Sequence, residues 1–175
     1  MTWIIDPLHT LVEFSVVHLK INLVKGRFYE VRGSLHLDFQ RPERSWVKAQ
    51  VNTASLSTGV AARDQHLRSA DFFDVARYPS IDFESTHVLQ TEAAKGVVTG
   101  NLTLHGITQL VSFQTTFGGS AQDPESDSWR VGFSARGSID RRSFNMHYRQ
   151  LSRGEIALVG DQVQLELHIE AVQVE

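Results

Sequence analysis

Apolar residues recur at every second position along most of this chain, and no other property limits its fold so strongly. Val12, Phe14 and Val16 alternate with Glu13, Ser15 and Val17. Val47, Ala49 and Val51 alternate with Lys48, Gln50 and Asn52. The same period of two runs through Val98, Gly100, Leu102 and Leu104, through Val111, Phe113, Thr115 and Phe117, and through Val163, Leu165, Leu167 and Ile169. Trp129, Val131, Phe133, Ala135, Gly137 and Ile139 form its longest clean example. Alternation of this kind predicts strands with one apolar and one wet face, as in antiparallel sheet.

Between these runs the connections are short. RPERS (41–45) reads as a charged turn, TEAAKG (91–96) as a polar one and His105-Gly106 as a tight one. GGSAQDPESDS (118–128) reads as an exposed loop, and 140–161 as an irregular stretch ending in a turn at Gly160-Asp161. Gly26 marks an expected bend or bulge. From Phe28 to Phe39, Val31, Gly33, Leu35, Leu37 and Phe39 share a face, whereas Phe28 has the opposite parity, which predicts a bulge near Tyr29-Glu30. Ile81, Phe83, Ser85 and His87 make one face of a further strand. The chain thus reads as one domain over 1–175 with roughly eight strands, no repeat and no linker. Sandwich and barrel share this pattern; long strands around 28–39 and 129–139 favour an all-β antiparallel barrel.

One stretch breaks the rule. In TGVAARDQHLRSADFFDVARYPSIDF (58–83), Ala61, Ala62, Leu67 and Arg68 favour helix. Asp71 precedes Phe72-Phe73 and is placed to cap backbone amides. Pro79 pushes Tyr78 into extended geometry and announces a strand from Ser80. A short helix with adjacent phenylalanines, set between strands, is expected to plug or cap the sheet, with Phe72 and Phe73 at or near the entrance to its interior.

Composition excludes several classes. A net charge of −3 offers no clustered basic surface for nucleic acid. No run of 18 apolar residues predicts a membrane-spanning helix. There is no cysteine, which excludes disulfides, zinc–thiolate sites and thiol catalysis. MTWIIDPLHT lacks a basic start, an apolar core and a cleavage site. That sets the expectation of a cytoplasmic protein, or a periplasmic one if a leader has been removed.

An eight-stranded barrel is just wide enough to be filled by its own side chains or to hold one small ligand. Ala49, Ser85, Gly100, Ala135 and Gly137 are small inward positions. They either offset Phe83, Phe113 and Phe133 in a filled core or leave an elongated apolar cavity. About twenty buried carbons, at ~0.8 kcal/mol each, contribute roughly 16 kcal/mol. Association costs on the order of 4–15 kcal/mol, so a long hydrocarbon can be held without strong polar contacts and a short one cannot.

Several segments together resemble the YceI-like family. They are IDPLHTLVEFSVVHL, VKGRF, ASLSTG, RDQHLRSADFFDVARYPSIDFES, VTGNLTLHGIT and FSARGSIDRRSF, in that order, from Trp3 to about Ala171. The resemblance implies a lipocalin-like antiparallel barrel that binds polyisoprenoids or similar long amphipathic lipids inside, in proteins with or without a signal peptide. The family usually has glycine after the phenylalanine of the DRRSF turn. Asn145 stands there in this chain and tolerates left-handed backbone.

Among polar candidates, the eight histidines show no HxxxH spacing and no adjacent carboxylate pair. His18 continues the Val12–Phe14–Val16 parity, so it either touches ligand or ends a strand. His105 reads as a turn residue and His66 as hydrogen-bonded within the lid. Arg63, Asp64, Arg68, Asp71 and Asp74 are expected to pin the helix to the barrel; the sharper alternative gives Arg63 or Arg68 a phosphate or carboxylate headgroup. Arg141 and Arg142 pose the same choice. No G-x-S-x-G elbow, phosphate loop or dinucleotide fingerprint is present, so no catalytic or metal-binding residue is assigned.

The expected function is non-enzymatic binding, sequestration or transport of a long-chain isoprenoid or fatty lipid, with no other cofactor. Candidate ligand contacts are Phe14, Val16, His18, Phe28, Phe72, Phe73, Phe83, Leu102, Phe113, Phe133, Phe144, Arg63 and Arg68. Two alternatives remain: a lipid isomerase or hydrolase using His18 with a nearby acid, and an interaction module with a filled core. Pairing of two chains through a strand edge is a further possibility.

Overall fold

The computed structural model describes residues 1–151, 153 and 158–174. Its strand segments are β1 (Thr2–Ile5), β2 (Leu11–His18), β3 (Asn22–Phe28), β4 (Val31–His36), β5 (Trp46–Asn52), β6 (Leu56–Ser57), β7 (Ser80–Glu92), β8 (Lys95–Leu104), β9 (Ile107–Gln122), β10 (Trp129–Asp140) and β11 (Val159–Val174). All eleven join one antiparallel sheet, ordered β1-β4-β5-β7-β8-β9-β10-β11-β2-β3-β6 and closed by β1 pairing with β11. β1 with β2, β3 with β4, and β5 with β6 are interrupted halves of three long strands. Counted that way, the ring is an eight-stranded barrel in simple up-and-down order.

The interruptions follow from local chemistry. Pro7 cannot donate to a ladder, so the chain makes a 3₁₀ turn at Pro7–His9, where Asp6 accepts from the amide of Leu8 at 2.9 Å. The break at Tyr29-Glu30 reconciles the parities of Phe28 and Val31, as the sequence predicts. The turn at His105-Gly106 has positive φ at both residues, 53° and 74°, which suits a two-residue hairpin. Asn145 also sits in the left-handed region, φ 58° and ψ 28°, and ends the turn after Phe144 as a glycine would.

Other expectations are corrected. Gly26 neither bends nor bulges: β3 runs straight through it. β9 continues through Gly118 and Gly119 to Gln122, so only 123–128 forms the loop that composition suggests over 118–128. Ladder pairing with β10 outweighs the weak strand preference of those residues. Gly160-Asp161 lies within β11 at a register irregularity rather than in a turn. Of the stretch that reads as irregular, 152 and 154–157 lie outside the described residues. A register shift between Ser85 and His87 turns His87 outward and Val88 inward.

The barrel's two ends differ. At one end are the 58–79 segment, the His105-Gly106 turn and the 141–150 stretch; at the other are the 37–45 turn, the β7–β8 hairpin tip and the 123–128 loop. On the outer wall, Arg130 staples the β1–β2 break to β11 and to the start of the 123–128 loop. Its guanidinium donates to Asp6 at 2.8 Å, Glu170 at 2.6 Å and Asp123 at 2.9 Å. Burial opposes the charge on Asp6. Hydrogen bonds from Arg130, His9 and the Leu8 amide outweigh it and hold the carboxyl at about 2.

A depressed folded pKa stabilises the protein above the unfolded value and is lost as pH falls through the folded one. Asp6 therefore contributes stability that disappears between pH 3.8 and about 2. Denaturant melts across that range should show Asp6→Asn losing stability less steeply than the parent, and already less stable at neutral pH.

Candidate functional site

The inward faces of the strands enclose a cavity of about 380 Å³. Its wall is almost wholly apolar. Val12 and Phe14 come from β2, Ala49 and Val51 from β5, Ile81 and Phe83 from β7, Val98 and Leu102 from β8, Phe113 and Phe117 from β9, and Phe133 and Ala135 from β10. Leu165, Leu167 and Ile169 of β11 complete the ring.

Why this barrel is hollow despite its aromatic content follows from where its glycines stand. A side chain at Gly26 would drive its Cβ into Cζ of Phe14; one at Gly100 would lie 2.6 Å from Cζ of Phe83. At Gly137 the clash would be with Cδ1 of Phe113 at 2.9 Å. Each ring thus leans sideways over a neighbouring strand where no side chain exists, instead of projecting across the lumen. Phe83 and Phe113 meet edge to face at 5.3 Å, lining the wall as a pair.

The plug is built from the segment that breaks the alternation. Helix α1 (Ala61–Arg68) follows Gly59, where the chain takes a left-handed φ of 85°. Arg68 donates to the carbonyls of Ala54 and Leu56, at 3.1 and 2.6 Å, and Arg63 to the hydroxyl and carbonyl of Thr58, both at 2.7 Å. Asp64 is buried; burial opposes its ionisation, and hydrogen bonds from the Thr58 hydroxyl and amide overcome that and lower its pKa. Thr53 receives the far end of the plug, donating its hydroxyl to the carbonyl of Tyr78 at 2.8 Å. These contacts fix the helix to β6 and leave both arginines off the cavity wall.

Asp71 does not cap Phe72-Phe73. Its carboxylate meets Nε2 of His66 at 2.8 Å, and the backbone there makes turns rather than a second helix. Phe73 seals the lumen floor, packing on Phe14 and Phe28 with ring centres 6.1 and 5.5 Å apart. Phe72 faces away from the lumen, against His66 and Tyr148. Both therefore stand at the plugged end.

Of the candidate contacts, the structure brings seven into the wall: Phe14, Phe28, Phe73, Phe83, Leu102, Phe113 and Phe133. Val16, His18, Phe72, Phe144, Arg63 and Arg68 lie outside it. Val16 and His18 share the parity of Phe14 but continue past the floor, toward the start of β11. Phe144, 1% exposed, belongs to the packing beneath the plug. Arg141 is buried there too and donates to the carbonyls of Gly160 and Met146, each at 2.9 Å.

Sequence reading misses the residues of the open end. Phe39, Trp46, Leu89, Gln90 and Lys95 line the cavity there. Their turns read as polar punctuation, and only the three-dimensional closure of the ring places them around one opening. Nothing in the spacing of residues points to the cluster of Asp6, His9 and Glu170, whose ligand-type atoms lie within 4.8 Å of one another. The Arg130 guanidinium already bonds two of its carboxylates and supplies the charge a metal ion would bring. A second hollow, about 600 Å³, lies on the outer wall between β9 and β10, where ladder pairing ends at Arg136. It is open and half polar, unlike the enclosed lumen.

An up-and-down eight-stranded ring with an enclosed apolar lumen and one plugged end is a lipocalin-like barrel. Residues 3–171 match the model of the YceI-like domain, and the chain belongs to that family. It is 38% identical over 138 residues to a UPF0312 protein of Pseudomonas syringae, covering 79% of this chain and 71% of that one. A UPF0312 protein of Yersinia pestis is 35% identical over 166 residues, covering 95% and 82%. Among solved structures, BcnA of Burkholderia cenocepacia superposes with a TM-score of 0.82 at 20% identity, over 95% of this chain and 98% of that one. The YCEI protein of Campylobacter jejuni gives 0.77 at 28% identity, over 91% and 90%. A polyisoprenoid binding domain from Saccharophagus degradans gives 0.72 at 14%, over 98% of each chain.

The leaning-ring packing has a measurable consequence. Gly26→Ala should push Phe14 into the lumen and destabilise the fold by about 1–3 kcal/mol. In a Phe14→Leu background the same substitution should cost markedly less, a coupling that a double-mutant cycle by urea denaturation reads directly.

Proposed function

We propose that this protein binds a long-chain, isoprenoid-type or fatty lipid within the barrel, holding or carrying it without chemical change. The observation that carries this reading is the lumen itself: about 380 Å³, almost wholly apolar, with a floor sealed by Phe73. Ligand pockets run from about 300 to 1,000 Å³, so this lumen takes a slender chain and does not suit a bulky polar ligand. The solved domain from Saccharophagus degradans, described as polyisoprenoid binding, supports the ligand class through a shared fold.

Affinity would come from burial of the chain, at ~0.8 kcal/mol per methylene. Polar groups that can orient a head lie at the open end, where Asp38, Ser45, Gln90 and Lys95 join the wall. The alternative of lipid chemistry at His18 draws no support from its surroundings. Among the described residues, the histidines that meet a carboxylate are His9, His66 and His168, and the His18 ring is not in the cavity wall.

Organic extraction and mass spectrometry of the purified protein should reveal a hydrocarbon-chain lipid in near-stoichiometric amount. Ala49→Phe and Thr115→Phe, which fill the lumen from different strands, should each lose that lipid and keep their strand circular dichroism. Folded wild-type protein free of lipid and unresponsive to added long-chain isoprenoid alcohols would sink the proposal.

A further inference from the structure

The open end of the barrel carries an unusual arrangement of apolar side chains. Phe39 is 55% exposed, Leu89 53% and Trp46 37%. All three also belong to the cavity wall. Every exposed residue of that wall (these three with Gln90, Ala93, Ala94 and Lys95) lies at this end. Exposed apolar residues scattered singly need no explanation. These are not scattered: they come from the 37–45 turn with the start of β5 and from the β7–β8 hairpin, all at one end of the barrel.

The apolar surface of the lumen is therefore continuous with the outside of the molecule. Phe39 packs on Phe117, with ring centres 5.7 Å apart, and Phe117 in turn on Phe133 deep in the wall, at 5.3 Å. Trp46 stacks on His36 at 6.2 Å, which presents an amphipathic ring at the rim. Beside these side chains charges of both signs pair, and the 123–128 loop at the same end adds the exposed acids Glu125 and Asp127. Arg41 pairs with Asp38 at 3.8 Å and Lys95 with Glu92 at 3.3 Å, and Glu43 sits beside Arg44 in sequence. An apolar, aromatic rim with no excess of positive charge complements a neutral surface that is itself apolar just below a polar layer. Trp and Tyr settle at that depth of a membrane.

We infer that the open end docks on a lipid bilayer and that lipid passes between bilayer and lumen through it. The inference rests on the lipid-binding reading above and names the partner from which the lipid comes. Docking spares the chain a passage through water, where every methylene would lose its transfer free energy. The opposite end offers no such passage, because α1, Phe73 and the buried Arg141 close it. Because the uncompensated charges at this end are acidic, docking should need no anionic lipid and should weaken in its presence.

Flotation of the full protein with phosphatidylcholine vesicles, with and without added phosphatidylglycerol, tests this. A second readout is Trp46 emission in a Trp129→Phe background, where the buried Trp3 adds only a constant signal. The protein should float with the phosphatidylcholine vesicles and no better with those that carry phosphatidylglycerol, and Trp46 emission should shift to the blue. Phe39→Ser combined with Leu89→Ser should reduce the vesicle-bound fraction at least about tenfold, equivalent to losing burial of one side chain. Leu110→Ser, at an exposed leucine on the outer wall, should change nothing. Three outcomes would overturn the inference: no flotation of lipid-loaded wild type, equal loss in the Leu110 variant, or a rim-dependent self-association that replaces vesicle binding. Extraction of the same samples separates the two readings. Lipid in the lumen without flotation defeats docking alone, whereas flotation with an empty lumen defeats the lipid-binding reading and the transfer that rests on it.

Discussion

Ring closure is the constraint on which everything else depends. Once β1 pairs with β11, the interior has a fixed cross-section, and eight strands leave room for either side chains or a ligand. The balance is tipped by rings that lie along the wall over missing side chains. Phe14 over Gly26, Phe83 over Gly100 and Phe113 over Gly137 bury aromatic area without crossing the lumen. The same glycines in a barrel whose rings pointed inward would produce a filled core. Hollowness is thus a property of pairs of residues on adjacent strands rather than of composition.

The two ends show a division of labour in the kind of force that shapes them. At the plugged end, polar interactions dominate. Arg68 and Arg63 satisfy carbonyls of β6 and Thr58, Thr53 grips the plug's last residues, and Arg141 joins separate backbone segments in a buried site. Hydrogen bonds of this sort are directional and costly to leave unmade once buried, so they fix one geometry. At the open end, apolar surfaces meet water beside the paired charges of the 37–45 turn and the β7–β8 hairpin. Such a rim has no strong reason to stay in contact with solvent when an apolar partner is available.

Much of the fold is legible in the sequence because a half-buried strand writes its burial there with period two. The alternation through Trp129–Ile139 survives as β10, and the break at Tyr29-Glu30 is visible as a parity conflict at Phe28. The failures have a common cause: they fall where tertiary pairing overrides local preference. Gly118 and Gly119 look like a loop until β10 pairs with Gly119 and takes up Gly118 as a register irregularity, and His87 looks inward until a register shift displaces it. For the cavity, parity finds the wall and misses its depth. Val16 and His18 have the same facing as Phe14, yet they lie beyond the floor that Phe73 makes from a distant segment. Parity has no coordinate along the barrel axis.

That missing coordinate also explains why residues alone put the entrance at the wrong end. Adjacent phenylalanines beside a helix suggest an entrance when only sequence is considered, because lids and helices often coincide. In the structure the helix is anchored by charge-assisted hydrogen bonds from Arg68 to backbone carbonyls, one of them partly buried. An element held that way is a poor gate: opening it would break the bonds from Arg68 to the carbonyls of Ala54 and Leu56 and leave those groups without partners. The turn at 37–45 and the hairpin at 92–95 carry no comparable anchorage to each other. At that end the exposed side chains and the lumen wall are one surface.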